Sequence, residues 1–462
     1  MAAEHDVRVG PGPTRAELIA AGKKLRETCP RSSHAEWKAP GHRRDPVELM
    51  EASNAGRIPG LIPIRHGRML RSPFTFYRGA ALNMAADLAH TPVTGVRVQA
   101  CGDAHLMNFG AFATPERRVI FDINDLDETL PAPWEWDVKR LAASIVLAGR
   151  SNGFSDDVAR DATLACVRSY REHMAEYSEM LTLDVWYASI GIEQLQEMTR
   201  DKNARQRHQK ALAKARERSA LEHDFPKLAA MAGKGPRIRD NPPLIYHPQD
   251  EAVEDLLTRA RAAFAEYRES MQEDRRVLLD RFDFKDIAVK VVGVGSVGTM
   301  CAVMLMMASA EDPLFLQVKE ARTSVLEPYA GASMHPNRGQ RVVSGIRLMQ
   351  SASDIFLGWT TGKSERHFYV RQLRDMKIGP QVELFTPGVL SQYAEFCAWT
   401  LARAHARSGS PAHISGYLGK GDAFDKAVTA FAIAYGDQTE RDHQVLMKAA
   451  RAGRIEVVTE PG

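Results

Sequence analysis

One stretch near the middle of the chain limits the available folds more than any other. The apolar, β-branched residues Ile287–Val292 run straight into Gly293-Val-Gly-Ser-Val-Gly298, and an apolar run follows from Thr299 to Ala310. Glycines at this spacing let main-chain N–H groups approach phosphate closely. If the following run is a helix, the segment is a dinucleotide-binding strand, fingerprint and helix, with Glu320 as a late ribose-binding acid. If it is a second strand, the loop is the tip of a hairpin lying over phosphates. Val and Thr among the methionines, and the turn ASAEDP that closes the run, favour the strand. The run is also far short of the ~20 residues that span a bilayer.

A second constellation lies earlier. Cys101-Gly-Asp-Ala-His-Leu-Met-Asn108 follows a short strand, Val96–Ala100, and sets Asp103 and Asn108 five positions apart. Phosphoryl transfer needs a carboxylate near the accepting hydroxyl and oxygen ligands for Mg²⁺. D-x-x-x-x-N is the spacing found in protein-kinase catalytic loops. A polar loop whose Asp and Asn cap backbone groups gives the same spacing without chemistry. The next strand, Arg118–Ile123, ends among Asp122, Asp125, Asp127 and Glu128, which offer further carboxylates at hairpin distance.

CGDAHLMN resembles the HGDxHxxN catalytic loop of aminoglycoside and choline phosphotransferases. IFDINDLDE resembles the metal-binding strand end of that superfamily, and EWDVKRLA its later Asp-Leu-Ala segment. The resemblance implies Asp103 as catalytic base and Asn108 as a Mg²⁺ ligand. The second ligand is open between two residues: counting forward from Asn108 favours Asp122, and counting back from Asp137 favours Asp125, which we prefer. Cys101 stands where that superfamily has His. In the same reading Gly293, Gly295, Ser296 and Gly298 cover the phosphates of ATP. Lys319, in LFLQVKEA, takes the place of the V-A-I-K lysine. A glutamate partner for it is expected on the next helix, but Asn337–Ser353 has none, so Glu327 is the candidate. His105 and Arg78 are candidates for phosphate or substrate contact. Along nearly its full length the chain resembles the bacterial domain of unknown function 2252, usually grouped with the kinase-like fold. SPFTFYRGAA, CGDAHLMNFG, FDINDLDE, PWEWDVKRLAAS, GVGSVGT, LQVKEA, RQLRDMK and ARAHARSG carry that resemblance.

The expected fold is therefore α+β: a protein-kinase-like two-lobed architecture with a small antiparallel-sheet lobe and a large helical lobe. The catalytic loop comes about 190 residues before the glycine loop, so the motif order is circularly permuted. Helix Phe396–Ala406 would then lead back to Asp103. The expected divisions are an N-terminal arm at 1–60 with one short helix, a helical large-lobe region at 61–281, the sheet lobe at 282–378, and helices at 379–462 completing the large lobe. Pro242–Pro243 reads as a linker, and the Lys/Arg-rich Arg200–Arg218 as a solvated helix face.

The leading functional expectation is an ATP- and Mg²⁺-dependent phosphotransferase acting on a hydroxyl acceptor that the sequence does not identify. Cys101 and the missing helix glutamate favour an alternative, a nucleotide-binding pseudokinase or scaffold. A nucleotidyl transferase and an NAD(P)-binding oxidoreductase are further alternatives. A net charge of +3 over 462 residues gives no argument for a nucleic-acid partner. Five scattered cysteines without a CxxC pair fit reduced thiols in a cytoplasm, not a disulfide frame or a zinc site. Early acids and the lack of an apolar core make the first residues a poor secretory signal. No membrane partner is expected, and oligomeric state is left open.

Overall fold

The computed structural model describes residues 12–216, 228–232, 235–247, 253–291, 293–373 and 377–459. It is a mixed α+β structure of many helices with small antiparallel sheets. Strands β1 (Arg97–Ala100), β2 (Phe109–Ala113), β3 (Val119–Ile123) and β4 (Leu130–Pro133) form two nested ladders, β1 with β4 and β2 with β3. Ala100 pairs with Leu130 and Phe109 with Ile123. The loop 101–108 and the turn 124–129 therefore leave the ladders side by side.

Farther along come β5 (Ala229–Ala232), β6 (Gly235–Ile238), β7 (Ile245–Tyr246), β8 (Asp283–Lys290), β9 (Cys301–Ser309), β10 (Asp312–Ala321), β11 (Gly358–Thr361) and β12 (His367–Gln372). β5 and β6 pair with each other, and the rest make a six-stranded sheet in the order β11-β12-β10-β9-β8-β7. The apolar run is thus a strand, and the helix that a dinucleotide fingerprint requires is not formed. Its unbroken apolar character has a simple cause. Met304 and Met306 pack with Tyr267, Leu314 and Leu316 on one face of the sheet, while Val303, Leu305 and Met307 pack with Ile238 and Phe315 on the other. A strand covered on both faces has no solvated side to alternate with.

The helical body is built on Trp134–Ser151, buried along nearly its whole length and packed against Asp156–Glu179 and Ala423–Arg451. Pro387–Ser408 lies against Asp156–Glu179 and ends beside β1, where Gln99 N donates to Ser408 Oγ at 3.1 Å. Two short helices, Thr182–Tyr187 and Ile192–Met198, follow Asp156–Glu179. Pro242–Pro243 leads directly into the edge strand β7 and does not separate two bodies. The basic run forms the helix Lys202–Arg216, and Arg218 lies outside the described residues.

The N-terminal region differs most from expectation. Its first eleven residues lie outside the described part, but 46–60 is no arm. Pro46–Ala52 is a helix capped by Asp45, whose Oδ1 accepts from Val47 N and Glu48 N. Helices Ile62–Met69 and Pro73–Gly79 follow. Val47, Met50, Met69 and Phe76 form one cluster with Leu446 and Ala449. Proline at the first turn of a helix costs no hydrogen bond, so a Pro-rich composition here accompanies helix starts.

Among the described residues no helix is long and apolar enough to cross a membrane, and all five cysteines are free and buried. Asp122, one of the two candidates for the second metal ligand, belongs to the fold. It is 0% exposed. Its Oδ1 accepts from Arg403 Nη2 at 2.6 Å, and its Oδ2 accepts from Ser351 N and Oγ at 2.8 and 2.9 Å. It faces Arg403 on the helix Pro387–Ser408, away from the loop 101–108. Breaking one side of a buried ion pair strands the other charge. Asp122→Ala should therefore lose about 3–5 kcal/mol of stability in denaturant unfolding, and Asp122→Leu combined with Arg403→Met should recover most of it.

Candidate functional site

The loop 101–108 is held from beneath. Cys101 N and Gly102 N donate to the two oxygens of Asp137 at 2.6 and 2.9 Å. His405 Nε2 lies 3.1 Å from the same carboxylate, and its Nδ1 is 2.9 Å from Tyr170 OH. Asp137 thus supplies the loop's hydrogen-bonded scaffold, while the Cys101 thiol is buried. Gly102 has φ +80°, and a Cβ there would meet Glu128 O at 2.6 Å, so only glycine fits. Asn108 Nδ2 donates to Asp103 O at 2.7 Å. This fixes the amide and leaves its Oδ1 as the atom to meet a ligand.

Arg140 Nε donates to Asp103 Oδ1 at 2.7 Å, Nη2 donates to the same oxygen, and the guanidinium stacks on Tyr77. The other oxygen, Oδ2, faces His105 Nε2 at 3.8 Å, too long for a hydrogen bond. Burial pushes His105 down to about 4, with Asp103 opposing and Arg78 and Arg140 assisting. The imidazole is therefore neutral near pH 7.

The turn 124–129 carries the acids. Lys319, at the sheet side and 3% exposed, donates to Asp127 Oδ2 at 2.7 Å and to Asp125 at 3.2 and 3.3 Å. Tyr369 OH donates to the other oxygen of Asp127. Enclosure raises the Asp125 carboxyl, but Lys319, Arg371 and Lys377 outweigh it and hold Asp125 below the usual carboxylate range. Asp127 goes the other way, raised by enclosure and by its neighbour Asp125. Glu327 is not the partner of Lys319: its carboxylate accepts from Ser324 N and Ser333 N.

These parts meet the glycine loop in one cleft with a volume of about 360 Å³. Asp103, His105, Asn108, Asp125 and Arg78 line it together with Gly293, Gly295 and Ser296. Gly298, Lys319 and Asp122 do not. Gly298 lies against Arg57, where a Cβ would come within 3.1 Å of the arginine side chain. Lys319 is sealed behind its two aspartates. Sequence reasoning missed Arg57, Arg65 and Arg322, which also line the cleft. The first two fall at the end of the supposed arm and just beyond it, outside any motif.

Asn108 Oδ1 and Asp125 present oxygens to the same cleft. Among the described residues no group of three or more His, Cys, Asp and Glu converges as a metal cage. Mg²⁺ typically takes one or two carboxylates and completes its shell with water and substrate phosphates, so the residues fit that ion when phosphate is bound.

An α+β protein with one cleft that gathers an Asp–Asn loop, an acidic turn and a glycine loop is the class this geometry defines. The chain matches the family described as "Uncharacterized protein conserved in bacteria (DUF2252)" over residues 57–449, and it belongs to that family. No curated protein and no solved structure matches it. The matched region begins at Arg57, inside the stretch that composition assigned to an arm.

A neutral buried histidine makes stability depend on pH. His105 has a folded-state value of about 4, below the ~6.5 of an exposed histidine. Between those values the unfolded chain binds the extra proton, so stability falls as pH drops through that window. From pH 6.5 to 4.5 the His105 contribution should be about 2 kcal/mol. His105→Gln should flatten the acid limb of a stability–pH profile by that amount, and an unchanged limb would show that His105 is protonated in the folded state.

Proposed function

We propose that the cleft binds a nucleotide with Mg²⁺ and transfers its terminal phosphoryl group to a hydroxyl acceptor, in a protein-kinase-like fold whose motifs run in permuted order. One observation carries the reading. Asp103, Asn108 and Asp125 share a cleft with Gly293, Gly295 and Ser296, although about 190 residues separate the two motifs in sequence. The permuted order is supported by the helix Pro387–Ser408, which ends against β1, the strand that enters the 101–108 loop. The strand β9 after the glycine loop speaks against a dinucleotide fingerprint at Gly293–Gly298.

Asp103 is the residue for the acceptor. Arg140 occupies its Oδ1, so Oδ2 is the oxygen that orients the incoming hydroxyl and accepts its proton. Asn108 Oδ1 and Asp125 would hold the metal, and bound Mg²⁺ would supply charge neutralisation on the phosphate oxygens. The glycine loop brings main-chain N–H groups over the phosphates. Catalysis of this kind is mainly positioning and electrostatic stabilisation. A second reading, a nucleotide-binding pseudokinase, is favoured by one contact: Lys319 is already bound by Asp125 and Asp127 and does not reach the cleft.

Calorimetric titration with ATP separates these readings. The wild-type chain should bind ATP only with Mg²⁺, and Asp125→Asn should weaken that binding at least ~10-fold. Asp103→Asn should keep nucleotide affinity while losing ~10²–10⁴-fold in turnover, the usual worth of a positioned base. Turnover that is absent from the wild type across hydroxyl acceptors would leave the pseudokinase. Label transferred from the α-phosphate in place of the γ-phosphate would make the protein a nucleotidyl transferase. Absence of Mg²⁺-dependent ATP binding would end the nucleotide reading.

A further inference from the structure

Part of the cleft is built of arginines. Arg57, Arg65, Arg78 and Arg322 all line it, and none of them has a carboxylate within ion-pair distance among the described residues. Their hydrogen bonds go to neutral oxygens. Arg57 donates to Ser53 O at 3.0 Å and to Val297 O at 2.5 Å. Arg65 donates to Asn54 Oδ1 and, at 2.8 Å, to Gly79 O. Arg322 donates to Ser53 O at 3.0 Å and to Ala55 O. Arg78 makes no hydrogen bond among the described residues. It stands over the Phe74 ring, and its Nε is buried without a partner.

This is concentrated positive charge with acids nearby but none in ion-pair contact. Burial first, and then the neighbouring guanidiniums Arg65 and Arg322, push Arg57 down to about 8, against the pull of Glu128 and Glu320. Burial and Arg322 likewise lower Arg65, against the pull of Glu51, which lies within 3.2 Å of His66 Nε2. The nearby acids are engaged elsewhere: Glu128 Oε2 accepts from Val325 N and Glu320 Oε2 from Met300 N, at 2.7 and 2.9 Å. Asp103 is held by Arg140. Buried charges are ordinarily paired because leaving them unpaired is expensive. Here the missing counter-charge has a ready place. The glycine loop lies directly on this cluster, since a Cβ on Gly295 would come within 3.2 Å of Arg78 O, and Val297 O is tied to Arg57.

We infer that Arg57, Arg65, Arg78 and Arg322, beneath the glycine loop, form a site for a chain of phosphates. Four cations at one place require several negative charges together, which an oligophosphate carries and a single carboxylate does not. The planar guanidinium fork also matches phosphate oxygens two at a time. The phosphates come either from the nucleotide, in which case the inference rests on the function proposed above, or from a phosphorylated acceptor, in which case it does not. In both cases the phosphate-binding cations are arginines of 57–78 and Arg322, in place of the sealed Lys319.

The test is calorimetric titration of the full chain with inorganic tripolyphosphate and, separately, with ATP and Mg²⁺, comparing wild type with Arg78→Gln and Arg322→Gln. Circular dichroism and thermal melting check that each variant is folded. Both ligands should bind the wild type and lose at least ~10-fold in each variant. Ligand-free Arg78→Gln should melt no lower than wild type, because the substitution removes an unpaired cation. Arginine-dependent binding of tripolyphosphate without binding of ATP would keep this site, assign it to a phosphorylated acceptor, and remove the nucleotide reading. ATP binding that depends on Asp125 but is indifferent to both arginine variants would keep the nucleotide reading and overturn this one. Failure of both ligands to bind wild type would overturn it as well.

Discussion

A lysine ammonium buried in a protein is tolerated only where carboxylates meet it, and Lys319 makes that condition the hinge of the whole arrangement. It projects from β10 of the large sheet and finds Asp125 and Asp127 on a turn between two ladders of the helical body. Other cations reach the same turn. Arg341 donates to Asp127 O and Thr129 O, and Arg371 donates to Asn124 O at 3.1 Å. The acidic turn is one of the places where sheet and body meet, gripped from β10, β12 and the helix Arg338–Met349. That joint, together with the ties of Val297 O to Arg57 and Gly298 O to Ile58 N, brings the glycine loop to the Asp–Asn loop.

The cleft that results is electrically divided. On the body side each acid has a cation or a main-chain donor: Arg140 for Asp103, Lys319 for Asp125 and Asp127, Val325 N for Glu128. On the side of 57–78 the cations have only neutral oxygens. Low-dielectric walls focus such a field. An anion therefore gains from the arginine side.

How much of this the sequence revealed depends on how local each feature is. The Asp103–Asn108 spacing and the strands β8, β9 and β10 were legible because both are short-range patterns: a loop of fixed length, and apolar runs bounded by turns. The choice between Asp122 and Asp125 was not legible. Asp122 lies within β3, where side chains alternate between faces, and only Arg403, far away in sequence, determines that its side is the structural one. The partner of Lys319 was sought on the following helix and is instead a pair of aspartates almost two hundred residues earlier. Strand β4, with the sequence LPAP, was hidden because its prolines argue against a strand, yet they are compatible with a two-stranded ladder in which one edge needs no donors. Of the cleft's arginines only Arg78, in SPFTFYRGAA, was picked out from the sequence; Arg57, Arg65 and Arg322 carry no motif. They are recognisable only once the glycine loop has been folded onto them.

The segment that carries Arg57, Arg65 and Arg78 has its neighbours at the opposite end of the chain. Val47, Met50, Met69 and Phe76 bury their apolar surface against Leu446 and Ala449, and Val458 N donates to Pro63 O at 3.0 Å. During synthesis these early helices leave the ribosome long before the residues that cover them exist. At ≈5–20 residues per second, their apolar faces stay open for roughly twenty seconds or more. For that interval the nascent chain is a client for whatever holds unfinished proteins apart, and the apolar faces that flank the cleft cannot be covered until residues 446–458 have been made.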